Sequence, residues 1–143
     1  MRRLILLFCL IGTQAQSWVF DPVPICRLSH DFGDLTVEVT YDPRLEMSYA
    51  ITVTNTAPWK PAAIFGMTFF GGRENTITTP RHTFSDDMRS VTVRDRGFGN
   101  VLDGLEFNQT ASAFLGDQAV NIPLAGAREP VQAFRACAGQ AVA

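Results

Sequence analysis

Apolar and polar residues alternate with a period of two along Leu35–Tyr41. Leu35, Val37, Val39 and Tyr41 share one face, while Thr36, Glu38 and Thr40 share the other. Met47–Thr54 repeats the pattern, with Met47, Tyr49, Ile51 and Val53 inward, after an Asp42-Pro43-Arg44 break. Two such runs joined by an Asp-Pro turn predict an antiparallel hairpin with one wet face. Ala62–Phe70 differs, because Phe65, Met67 and Phe69 lie on one side while Ile64 and Phe70 are apolar on the other. A strand of that kind is either covered twice or presents one side to a partner. Asn75–Thr79, stopped by Pro80, and Ser90–Arg94 are further short strands.

After Asp95-Arg96-Gly97-Phe98-Gly99 the period lengthens. Asn100 is the expected N-cap of a short helix carrying Val101, Leu102 and Leu105, with Asp103 at the third position against the helix dipole. Thr110–Leu115 and Gln118–Leu124 then form a second hairpin about Gly116-Asp117. Ala127, Val131, Phe134 and Ala138 recur at helical spacing, with Pro130 tolerated in the first turn. The expected fold class is α+β, mainly β: an antiparallel sheet or sandwich with one short helix and a C-terminal helix.

The beginning of the chain has a different character. Met1-Arg2-Arg3 is basic, Leu4–Ile11 is an unbroken apolar run, and Gly12-Thr13-Gln14-Ala15 supplies small residues for a cut after Ala15. This is the order of a secretory signal peptide, and its core is too short for a permanent membrane span. The expected organisation is therefore a signal over 1–15, a single domain over 16–137 and a flexible tail over 138–143. Removal of the signal takes Cys9 with it and leaves Cys26 and Cys137, which have one possible intramolecular pairing in an oxidising compartment. The expected location is the periplasm or the exterior of the cell, without a transmembrane anchor in the mature form.

Composition narrows function mainly by exclusion. With 12 basic and 14 acidic residues and a formal net charge of −2, the chain lacks the electrostatic footprint of a nucleic-acid binder. No Gly-x-Ser-x-Gly, His-Glu-x-x-His or Cys-x-x-Cys occurs, and no cofactor signature is present.

The Asn100–Leu105 segment, the following hairpin, Ile122-Pro123-Leu124-Ala125-Gly126 and Val131–Cys137 together resemble the end of small exported alphaproteobacterial proteins of the invasion-associated locus B family. The resemblance implies an exported, non-enzymatic, β-rich domain and carries over no catalytic residue.

Three constellations are candidates for chemistry. His82 with Asp86 and Asp87, joined by His30 beside Asp31 and Asp34, would serve a metal-dependent or hydrolytic enzyme if the fold united both segments. Otherwise Ser85-Asp86-Asp87 is a turn closed by its own side chains. Arg94–Asn100 places a Gly-x-Gly between a strand and a helix start, flanked by Arg94 and Arg96, as in an anion site. The plainer reading is a tight connection with both glycines at positive φ. Finally, Trp59 between Pro58 and Pro61 is the aromatic residue expected to be partly exposed. With Ile64 and Phe70 it would form a surface for a protein, a sugar or another envelope component. These readings favour a non-catalytic interaction domain, with Trp59, Ile64, Phe70, Arg94 and Arg96 as candidate binding residues.

Overall fold

A computed structural model describes residues 17–140; the expected signal over 1–15 and residues 141–143 of the expected tail lie outside them. Among these residues ten strands form two antiparallel sheets. The larger runs β1 (Val19–Asp21), β2 (Cys26–Asp31), β3 (Leu35–Tyr41), β4 (Tyr49–Asn55), β8 (Ser90–Asp95), β7 (His82–Phe84) in spatial order. The smaller is ordered β10 (Gln118–Pro123), β9 (Thr110–Leu115), β5 (Phe65–Phe70), β6 (Asn75–Thr79). Two helices, α1 (Gly99–Phe107) and α2 (Arg128–Gln140), complete the fold. The expected class is therefore what the chain adopts.

The alternating runs do what their period requires. Val37, Val39, Val53 and Ile51 are at most 2% exposed on the inner face of the large sheet, and Val37 stands opposite Val53 and Val39 opposite Ile51. The small sheet contributes Phe65, Met67 and Phe69, opposite Leu115, Ala113 and Ala111. These two inner faces make one core. Outward-facing threonines and serines tie strands together instead: Thr52 to Thr92 at 2.8 Å and Thr54 to Ser90 at 2.7 Å.

The helices sit at the end where β2 begins and β5 finishes. Gly104 of α1 lies so close to Phe69 that a Cβ there would come within 2.5 Å of its ring. Arg135 of α2 pairs with Asp103 and, at 3.0 Å, with Glu106 of α1. Cys26 and Cys137 are bonded with Cα atoms 6.0 Å apart, tying β2 to α2 across 111 positions. In the chain-entropy model such a loop constrains the unfolded chain by about 4.7 kcal/mol.

Four local expectations are corrected. The helix α1 begins at Gly99 with Phe98 as an N-cap that makes no side-chain capping bond, so Asn100 lies inside the first turn. Phe98 is 4% exposed and stacks on Tyr49 at 5.5 Å, so burial of an aromatic ring places the helix start ahead of the polar capping signal. Neither Gly97 nor Gly99 has a positive φ; among the described residues the positive-φ glycines are Gly33, Gly71, Gly116 and Gly126. The C-terminal helix continues through Gln140 rather than giving way to a tail at 138, because Ala138 is buried as the next position of the helix's apolar stripe. Trp59 is 2% exposed, not a surface residue. Its backbone N–H donates to the Met88 carbonyl at 2.7 Å, which holds the proline-flanked turn folded at the end of the sandwich opposite the helices.

Candidate functional site

The histidines are kept apart by the sheet itself. Strands β2 and β7 are four positions apart in the large sheet, roughly 19 Å at the usual strand spacing. His82 uses Nε2 in a 2.9 Å hydrogen bond with the Ala62 carbonyl. Asp87 accepts from the Ser85 hydroxyl at 2.6 Å and the Arg89 N–H at 3.0 Å, closing a turn. Those bonds, Ser85 first, hold its carboxyl below the ordinary value. Among the described residues no three His, Cys, Asp or Glu side chains gather as a metal site would require. The constellation of His30, His82, Asp86 and Asp87 is not assembled.

His30 has a separate role in the core. It is buried between Trp18, stacked at 5.4 Å, and Phe32, edge-on at 3.8 Å, and neither ring nitrogen has a hydrogen-bond partner. Burial lowers its pKa, opposed by the neighbouring Asp31.

The anion-loop residues divide. Arg94 projects from the outer face of β8, opposite Ala50, and Arg96 pairs with Glu46. Neither side chain lines the cavity at the helix start. The backbone of the same loop, however, borders a groove. Gly97, Phe98, Gly99 and Asn100 line one wall, Ile77–Thr79 of β6 another, and Val93 and Asp95 of β8 a third. The groove has a volume of about 450 Å³. It shares Ile77, Thr79, Val93, Phe98 and Val101 with an adjoining recess of about 30 Å³ that Ile51, Phe65 and Met67 also line.

Its origin is topological. The chain leaves β6 in the small sheet at Thr79 and enters β7 in the large sheet at His82, so Pro80 and Arg81 bridge the layers. β7 covers only Val91–Val93 of β8, which leaves Arg94 and Asp95 beyond its reach. Between these two edges the sandwich is open to its core. Arg81 stands at the rim with Asp95 at 4.0 Å, the limit of an ion pair, and its side chain is 63% exposed. A Cβ at Gly97 or at Gly99 would meet nothing within 4 Å. Glycine at these positions is thus required neither by backbone conformation nor by packing, and both face the opening.

Arg81 escaped the sequence reading because its importance follows from two sheet edges meeting, which no local pattern encodes. Phe70, the last residue of β5, and Ile64, just ahead of its first, are 45% and 44% exposed. The fold and groove define a disulfide-stapled, two-sheet β-sandwich with a mouth opening into its core. No protein-family model, curated protein or solved structure matches the chain.

Proposed function

We propose that the chain is an exported, non-catalytic binding domain and that its ligand is a small amphiphilic anion held in the groove between β6 and β8. The observation that carries this reading is the groove's division of chemistry. The adjoining recess is walled by apolar side chains and Thr79, while the rim holds Arg81 with Asp95 beside it and the uncapped first turn of α1. An acyl chain lying along the groove would leave water with only its terminal carbon at the recess, and its carboxylate or phosphate head would remain at Arg81. The absent side chains at Gly97 and Gly99 keep the entrance wide.

Export fits the disulfide and the signal-like start of the chain, and the resemblance of its last third to the invasion-associated locus B family points the same way. The reading moves the binding site away from Trp59, Arg94 and Arg96.

Calorimetric titration of the disulfide-bonded protein with decanoate and with decyl phosphate tests it. Saturable one-site binding is expected, weakened about ten-fold by Arg81→Glu and lost in Gly97→Leu, which fills the entrance. Absence of saturable binding to either amphiphile, or binding indifferent to both substitutions, rejects the reading.

A further inference from the structure

On the small sheet, the face turned away from the core has a chemistry of its own. Antiparallel register puts Asn121, Ser112, Thr68 and Thr76 in one row across all four strands. Thr68 and Thr76 share a 3.1 Å hydroxyl contact, and the amide of Asn121 is exposed. The neighbouring row holds Phe114 opposite Gly66. A Cβ at Gly66 would come within 2.2 Å of the Phe114 ring, so the glycine is what lets that ring lie down across β5 instead of standing off the sheet. In the row on the other side, Phe70 is 45% exposed opposite Thr110.

Two aromatic rings therefore flank a row of uncharged hydroxyl and amide groups. They are separated by about 14 Å along the strands, four residues at the usual rise. No Asp, Glu, Lys or Arg stands in the rows of Phe114 and Thr68. A lipid surface would be matched by basic residues, and a folded protein partner by a larger apolar centre. Hydroxyl and amide groups between aromatic faces instead match a neutral sugar chain, whose C–H faces pack on rings while its hydroxyls exchange hydrogen bonds in both directions.

We infer that the outer face of the β10-β9-β5-β6 sheet binds an uncharged oligosaccharide stretched from Phe114 to Phe70. The ligand runs along the strands, one sugar face on each ring, with Thr68, Ser112 and Asn121 contacting its hydroxyls. This site is on the opposite face of the small sheet from the groove's inner recess and does not depend on it.

Amide chemical-shift titration of the disulfide-bonded protein with cellohexaose and with chitohexaose is the test. At millimolar sugar, at least one probe is expected to shift the amides of Thr68, Ser112, Phe114 and Asn121 together. Phe70→Ala and Asn121→Ala, both at exposed positions, should each weaken binding about three- to ten-fold with thermal midpoints unchanged. Two results would overturn the inference. One is the absence of shifts on this face with both sugars; the other is binding that neither substitution weakens. Phe114→Ala is the harsher variant, because it also uncovers Gly66, and so it is read only alongside the other two.

Discussion

Where β1 approaches β10, the Trp18 indole donates to the Pro123 carbonyl at 3.3 Å and bridges the two sheets; α2 packs against β1 and β2, with the disulfide at their meeting point. Where β6 approaches β8, the sheets are linked by Pro80 and Arg81 and by the start of α1, and the gap between them opens toward the core. Both sides belong to the same core, yet one is finished with covalent and aromatic closures and the other is bounded by glycines that no packing demands. The contrast teaches that the opening is not a general looseness of a small sandwich. A domain able to close one side so thoroughly leaves the other open at a defined place.

The largest effect that sharpens this contrast is loss of the staple. Cys26→Ser with Cys137→Ser is expected to cost about 4 kcal/mol in urea unfolding. Decanoate affinity under native conditions should be unchanged, because neither cysteine lines the groove or its recess. A joint loss of stability and of affinity would break the distinction between the sides.

Glycine substitutions come next. Gly104→Val drives a side chain into the Phe69 ring and should destabilise by about 1–3 kcal/mol or more. Gly97→Ala and Gly99→Ala should change unfolding free energy by no more than about 0.5 kcal/mol, since their side chains enter open space. Equal costs at positions 97 and 104 would mean that the groove glycines are structural.

pH acts on the closed side. His30 has its pKa lowered by burial, so the unfolded chain takes up its proton first as pH falls from neutrality through the ordinary value of 6.5. Stability should therefore decline below that pH and level off once the folded histidine is protonated too. His30→Leu should flatten the decline in urea midpoints between neutral and mildly acidic pH. Asp42 belongs to a separate window. Its bonds from Arg44 hold it at about 2, so its contribution is present above the ordinary value of 3.8 and is lost as pH falls toward 2.

The smallest effect is expected at the rim of the loop. Glu46→Gln removes the exposed partner of Arg96 and should alter stability by at most about 0.5 kcal/mol, with no change in ligand affinity.

Strands with one wet face were legible because their period survives in the chain, as in Leu35–Tyr41. Cys26, Leu28 and His30 follow the same alternation in β2 and could have been read as a strand by it. The cysteine pairing was legible by elimination. Trp59 was misread because its flanking prolines announce a turn but not which surface the turn folds onto. The groove was illegible for a deeper reason. It exists where Ile77, Val93 and Val101, distant in sequence and on three elements, converge between two sheets whose pairing order is not written in any local period. Gly97 and Gly99 were visible, but their open surroundings were not, and Arg81 gained meaning only from the crossing it occupies.

Intermolecular nuclear Overhauser effects between decanoate and the methyl groups of the folded protein probe the groove most directly. The account predicts contacts from the terminal methyl of the acyl chain to Met67, Ile77 and Val93, with the carboxylate end nearest Arg81. Contacts confined to other methyl groups, or none under saturating decanoate, would contradict it.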